Sequence, residues 1–414
     1  MGAGPGHSGE MSSSPTKAVF ESVEEMEESG YGENQTNSLL TTTSCRERVS
    51  QICSVSQKAS ESFTNRALFS RKYKFLYCPV EKTASTFWRR FFYQLIYTHP
   101  VKSPFDVSVQ RTLSERFASA QLPKDKLAKW LDSSTKLLFV RDPYSRLFSA
   151  YIDKLMSPNP VYWKQWGQPA ILKFRQNPSG SRKGHRPCGD DVTFKEFVSF
   201  VTDSGWRSDV HLIPINRLCT PCTFHYTVIG KMETFKRDAV HLLSYLKMSE
   251  SQIGFERMDS DAVVDAIEDS SKDSLSPNWL KDTLKCINKE GVAKRILRKL
   301  QIRGFVSWRY KLTLTSDEIR KLDFRTFVKL LTESRKDPLF NKTELKIQKK
   351  QAFLEAMITL EDSQFIDIQN LFFEDFVMFG YDAIPSVLKK AETGSIKLTN
   401  ALDWTKDWDL SPVL

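Results

Sequence analysis

Two stretches of this sequence repeat one pattern, and that pattern limits the folds open to the chain. The first is "FLYCPVEKTASTFWRRFFYQL", Phe75 to Leu95, and the second is "TKLLFVRDPYSRLFSAYIDKL", Thr135 to Leu155. Each opens as an apolar, strand-like run, passes through a polar turn and continues as a helix with an apolar face. In the second, Lys136 to Val140 reads as a buried strand. Asp142 can cap the helix that follows, and Pro143 suits its first turn. Leu147, Ala150, Tyr151 and Leu155 then share one face. A third unit, "FHYTVIGKMETFKRDAVHLLSYL", reads as a strand from Tyr226 to Gly230, a short turn and a helix from about Phe235. Strands that alternate with helices favour an α/β fold with a mainly parallel sheet.

The two polar turns carry chemistry. A helix starting near Ser85 leaves its first N–H groups unpaired and carries a partial positive charge there, which suits an anion. Lys82 adds a full charge, and Thr83, Ser85 and Thr86 add hydroxyls. Glu81 opposes an anion unless it faces away. In the second turn Arg141 directly follows the strand, and Arg146 and Ser149 are helical neighbours that can face one ligand. Each turn alone also fits ordinary structure: a solvated lysine in one, an Arg141–Asp142 ion pair with a solvated Arg146 in the other. Taken together, Lys82 and Arg141, 59 residues apart, suit a ligand with two separated anionic groups. The first turn lacks glycine, so it is not the Gly-rich loop that a P-loop kinase or NTPase needs.

Composition adds bounds. Of 414 residues 40% are hydrophobic and 28 are Phe, enough for a sizeable core. Phe91, Phe92, Leu95 and Ile96 belong to it. The net charge of +10 argues for an anionic partner. Residues 1–40 carry one Lys against seven Glu, whereas 281–350 carry 20 Lys/Arg against eight Asp/Glu. Residues 1–68 read as disordered, being rich in Ser, Thr, Glu and Gly. Residues 158–190 read as a long loop, 256–350 as largely helical and basic, "DIQNLFFEDFVMFGYD" as a helix ending near Gly380, and 383–414 as an irregular tail. The basic segment reads either as a track for an acidic polysaccharide, with Trp308 and Tyr310 stacking on sugars, or as a solvated helix face with those rings in the core. A non-enzymatic binding module for nucleic acid or heparin-like chains rests on this segment alone. No signal peptide is visible, nor any run of ~18 apolar residues. Sequons occur at Asn34 and Asn341. Seven cysteines leave at least one unpaired. Cys219 and Cys222, with His211 and His225 nearby, lack the second Cys-x-x-Cys a zinc site would want, and no metal is expected.

At these motifs the chain resembles the Golgi carbohydrate sulfotransferases, most of all the group of chondroitin and dermatan 4-O-sulfotransferases. "CPVEKTASTFW" resembles their 5′-phosphosulfate loop and "RDPYSRLFSAYIDK" their 3′-phosphate motif. "HLIPINRLCTPCTFHYTVIGKMET" and "FFEDFVMFGYD" resemble two further family segments. The resemblance covers roughly 73–255 and 360–382. It implies a P-loop-like sulfotransferase fold over 69–382, with 256–350 as a basic helical insertion. It implies 3′-phosphoadenosine 5′-phosphosulfate (PAPS) as cofactor, held by Glu81, Lys82, Thr83, Ala84, Ser85, Thr86 and Phe87 at one end. Arg141, Asp142, Pro143, Tyr144, Ser145, Arg146, Leu147, Phe148 and Ser149 would hold the other. Lys82 would act at the bridging oxygen. His211 would be the catalytic base, with Glu233 as runner-up. The implied acceptor is an acidic polysaccharide or glycoprotein glycan rather than nucleic acid, and the implied place is the Golgi membrane, lumenal side. There Cys219 and Cys222, with Cys188, would enter disulfides. Glu81, Ser85 and Leu212 replace the family's usual Pro, Cys and Trp, and the family's N-terminal anchor is not visible.

Overall fold

The computed structural model describes residues 40–55, 67–70, 72–97, 103–114, 129–176, 187–248, 257–337, 340–385, 387–388 and 397–413. Four strands form one sheet in the order β1 (Leu68–Ser70), β2 (Phe75–Cys78), β3 (Thr135–Val140) and β4 (Val228–Lys231). β1 runs antiparallel to β2. β2, β3 and β4 are parallel, with Tyr77 opposite Leu137 and Leu138 opposite Ile229. The strands are apolar on both sides because both faces are covered. Phe75, Tyr77, Leu137 and Phe139 pack on Trp88, Phe91 and Phe92, with Leu95 and Ile96 half-buried at the edge. Leu76, Cys78, Leu138 and Val140 pack the other way, on Ile215, Leu218 and Phe379.

Helix α1 (Leu40–Val55) departs from the expectation that 1–68 is unstructured. Cys45 and Val49 are buried against the sheet's second face, and Cys53 is bonded to Cys222. Cross-linking and burial offset the ordering cost that composition alone suggested. Residues 1–39 and 56–66, and the sequon at Asn34, lie outside the described residues. Helix α2 (Ser85–Tyr97) crosses from β2 towards β3, α3 (Pro143–Tyr151) follows β3, and α4 (Phe235–Tyr245) follows β4.

The stretch 158–190 is also more ordered than expected. Pro160 and Pro169 mark helix starts in it. Pro160 opens a short turn and Pro169 a helix over Gln168–Phe174; residues 177–186 lie outside the described residues. Two π turns, Ile152–Met156 and Trp163–Gly167, interrupt the helices here. The "DIQNLFFEDFVMFGYD" stretch is two helices, Asp362–Leu371 and Phe373–Phe379, the second ended by Gly380 at φ +60°.

The basic segment is helical, as expected; Lys281, Lys285, Arg325 and Lys329 are exposed and Trp308 is buried, as the reading of a solvated face with its rings in the core has it, but part of the charge turns inward. Helix α5 (Lys289–Ile302) has its arginines buried. Arg298 donates to the carbonyls of Asn400, Ala401, Asp403 and Lys406, and so holds the C-terminal tail. The tail is irregular yet packed: Trp408 is 1% exposed. Trp308 is likewise a core residue. Helix α6 (Lys342–Met357), capped by Asn341, lies against α5 and α3.

Cys78 pairs with Cys219 and Cys188 with Cys286, and Cys45 is free and buried. Cys219 and Cys222 are therefore disulfide cysteines, whereas Cys188 joins Cys286 rather than either of them. Non-reducing peptide mapping should recover Cys53–Cys222, Cys78–Cys219 and Cys188–Cys286, with Cys45 open to alkylation after unfolding. A peptide linking Cys188 to Cys219 or Cys222 would contradict this connectivity.

Candidate active site

The polar turns meet at the carboxyl ends of the parallel strands, where open α/β sheets bind ligands. After β2 the chain turns sharply over Glu81–Ala84, and Lys82 and Ala84 take φ of +71° and +57°. Left-handed backbone is costly for residues with a side chain, so something must hold the turn. Thr83 is fully buried and its hydroxyl donates to Val80 O at 2.9 Å. The second turn supplies the rest. Arg141 donates to Lys82 O at 3.1 Å, and Arg146 Nε donates to Glu81 O at 3.1 Å.

Arg146 corrects the expectation that it faces a ligand. It is 2% exposed, and its other nitrogens donate to Ile213 O (2.8 Å) and Val210 O (3.1 Å). A buried guanidinium must have its donors satisfied, and here three carbonyls do it. The carbonyls at 210 and 213 bracket His211. The same segment is held from the C-terminal motif by buried Asp375, which accepts from the N–H groups of Ile215 and Asn216 at 2.6 and 2.8 Å.

Others in the two runs are also structural. Phe87 packs in the aromatic cluster with Trp88, Phe105 and Phe235. Pro143 and Leu147 are buried, Tyr144 donates to Ala383 O at 2.6 Å, and Phe148 packs on Phe194 and Phe353. The Asp142 carboxylate caps α3 by accepting from the Ser145 N–H at 2.7 Å. Side chains left at least partly exposed are Glu81, Lys82, Ala84, Ser85 and Thr86 in the first turn and Arg141, Ser145 and Ser149 in the second. Glu233 has both oxygens engaged: it accepts from the Asp142 N–H (3.1 Å) and the Tyr381 hydroxyl (3.0 Å). That placement suits a latch beside Arg141 rather than a base.

His211 lies on the Lys82 side, within electrostatic range of Lys82 and Lys154. Its Nδ1 is 2.5 Å from Asp209 Oδ1. Asp209 keeps its carboxyl below the ordinary value: burial opposes this, but bonds from His211 outweigh it. An ionised carboxylate can only accept, so Nδ1 carries the proton and Nε2 is left as the basic nitrogen. Burial pushes the imidazole below its usual pKa, so it stays neutral near pH 7.

Asp153, in the first π turn, was not singled out in the sequence, nor were two of the three lysines around it, Lys154 and Lys299. It binds Lys82 at 2.7 Å, Lys299 at 2.9 Å and Lys154 at 3.3 Å. Burial opposes its charge, but Lys299, Lys82 and Lys154 together hold it well below the carboxylate range. Burial draws Lys82 down to about 7 despite Asp153. Arg295, Lys299 and Arg303 stand one turn apart on α5 and its C-cap, on one stripe. Arg295 donates to Met156 O and Leu155 O, both at 2.8 Å, and so supports the π turn that presents Asp153 and Lys154. The i, i+4, i+8 spacing was the signal available in the sequence.

Two outcomes test this arrangement. Arg146→Ala leaves three inward carbonyls without their donor, and charged hydrogen bonds contribute about 1.5–3 kcal/mol each. The variant should lose at least about 3 kcal/mol in urea unfolding; an unshifted midpoint would refute the clamp. Lys82, drawn to about 7, is near half-charged in neutral solution, and an anion prefers the charged form. Affinity for adenosine 3′,5′-bisphosphate should therefore fall as pH rises through about 7. Lys82→Arg stays charged and should remove that descent in calorimetric titrations; an unchanged slope would assign it elsewhere.

Comparison with known proteins gives the family. Residues 65–311 match the sulfotransferase family model. The match runs well into the segment read above as an insertion from 256, so that stretch to 311 is within what the family model covers. Human carbohydrate sulfotransferase 14 is 33% identical over 182 residues, covering 44% of this chain and 46% of that protein. Human carbohydrate sulfotransferase 8 is 30% identical over 214 residues, 49% of each. Mouse carbohydrate sulfotransferase 11 is 31% identical over 186 residues, 43% of this chain and 51% of that protein. The chain thus spans about half the length of these curated relatives. No solved structure matches it. With more than half of its residues inside the family match, this chain belongs to the sulfotransferase family.

Proposed function

We propose that this chain transfers a sulfuryl group from PAPS to a glycan hydroxyl. The acceptor we infer is the 4-hydroxyl of N-acetylgalactosamine in a chondroitin- or dermatan-type chain, from the motif resemblance and the basic balance of the sequence. The observation that carries the reading is the joining of the two anion-binding turns by the Arg141 to Lys82 O bond, with the Asp209–His211 pair beside Lys82. Such a donor has two separated anionic ends. Lys82, with Lys154 and Lys299 behind it, fits one of them, and Arg141 with Ser149 fits the other.

When bound, the cofactor supplies a sulfuryl group on a phosphate oxygen that can leave. The chain's own residues then have three tasks. Lys82 places positive charge where that oxygen gains negative charge. The turn at 81–84 and the first N–H groups of α2 orient it. His211 Nε2 accepts the proton of the acceptor hydroxyl, while Asp209 fixes the ring and steadies the imidazolium. A Golgi lumen suits this reading, because three disulfides belong in an oxidising compartment. Among the described residues no helix is long and apolar enough to cross a membrane.

Purified protein should move labelled sulfate from PAPS to a chondroitin or dermatan acceptor, with the product position read by disaccharide analysis. Failure on a broad glycan panel, with the nucleotide shown to bind, would sink the catalytic claim. Lys82→Ala and Arg141→Ala should each lose about tenfold or more. His211→Ala should lower kcat by roughly 10²-fold or more and leave nucleotide affinity unchanged. A wild-type kcat in that variant would move the base elsewhere.

A further inference from the structure

Arg303 and Lys349 carry charge at this site without a protein partner for it. Arg303 is the C-cap of α5 and lies within electrostatic range of Lys82, Asp153, Arg141 and Lys349. Its guanidinium stacks on Phe305 at 4.8 Å. Lys349 is on α6, outside the residues that match the family. Neither forms an ion pair with a carboxylate among the described residues. The nearby carboxylates are committed: Asp153 to Lys82, Lys154 and Lys299, and Glu233 to the Asp142 N–H and Tyr381.

The backbone holds both cations in place. Gly304, at φ +74°, stops α5 directly after Arg303, and the Phe305 N–H returns to Leu300 O at 2.9 Å. A left-handed residue here favours glycine. Buried Gln348 then pins α6 to this turn. Its amide donates to Gln301 O and Val306 O at 2.5 and 2.8 Å, and its carbonyl accepts from the Trp308 N–H at 3.1 Å. One turn beyond Lys349, Phe353 packs on Phe148 of α3 at 5.4 Å. Lys349 is thus carried on a helix packed against α3, within electrostatic range of Arg141. Its side chain reaches solvent, yet surrounding protein, and then Arg141 and Arg303, draw its ammonium down to about 8. Like charges collected in one crevice are stable together when an anion joins them.

We propose that Arg303 and Lys349 form, with Arg141, a three-cation seat for a phosphate monoester. This rests on the function proposed above, in which that group is the 3′-phosphate of the donor nucleotide. The charged groups that act on Lys349 are Arg141, Arg303 and Glu233, whereas those that act on His211 are Asp209, Lys154 and Lys82. Lys349 accordingly serves the Arg141 end and not the side where His211 meets the acceptor. A phosphate monoester, close to doubly charged at neutral pH, answers several cations better than a single carboxylate does.

Calorimetric titration of the full chain with two nucleotides separates the outcomes. The wild type, Lys349→Gln and Arg303→Gln are each titrated with adenosine 3′,5′-bisphosphate and with adenosine 5′-phosphate. Both variants should weaken the bisphosphate by about tenfold and leave the monophosphate within about twofold. Equal losses for both nucleotides would mean a diffuse field, and no loss would mean solvated side chains; either overturns the seat. A change confined to the acceptor KM would place these cations on the glycan and also overturn it. If the wild type binds neither nucleotide, the function proposed above falls, and the seat with it. Lys349 is exposed, so Lys349→Gln should melt as the wild type does and remains informative even if Arg303→Gln misfolds.

Discussion

Three carbonyl oxygens that share one guanidinium hold the site together. Arg146 takes Glu81 O from the first turn and Val210 O and Ile213 O from the histidine segment. A buried charge without such partners would cost several kcal/mol (about 3–5 on breaking a buried pair), so the arginine and the carbonyls fix one another. The left-handed backbone at Lys82 and Ala84 costs of order 1–3 kcal/mol per residue. It persists because Arg141 and Arg146 hold the carbonyls on its near side. The second motif is thus the mount of the first as much as a ligand site in its own right.

Charge in this chain is sorted by depth. The arginines of α5 face inward and replace carbonyl partners that helices and turns leave over: Arg295 at the π turn, Arg298 at the tail. The lysines near Asp153 face a single acid. This arrangement leaves the site strongly positive without exposing a uniform basic face. It explains how a segment with a large excess of Lys and Arg contributes to the core.

The sheet and its crossings were legible because period and turn chemistry agree: apolar runs at Phe75, Thr135 and Val228, each followed by a polar turn and a helix. Lys82 and Arg141 were legible as a pair because each lies in the polar turn between a strand and a helix. Arg146 was misread because spacing places a side chain on a face but does not say whether that face is covered. The same limit hid Phe87, Tyr144, Leu147 and Phe148, which look like ligand contacts when a motif is read as a string. Asp153, Asp209, Lys299 and Lys349 come together only through packing between segments far apart in sequence. Helix α1 was missed because its ordering comes from Cys53–Cys222 and from burial of Cys45 and Val49, which composition does not register.

The π turn at Ile152–Met156 has a consequence for how this chain tolerates change in length. A π turn is an α-helix carrying one extra residue, and one residue turns a helix by about 100°. Asp153 and Lys154 point into the site only at this count. A one-residue deletion after α3 would restore regular helix and swing both away, and it would free Arg295 from the carbonyls it holds. Substitutions along this stretch alter one contact at a time, whereas a change of length alters the electrostatics of the whole site at once. Drift between relatives should therefore appear here as exchange of side chains at constant spacing.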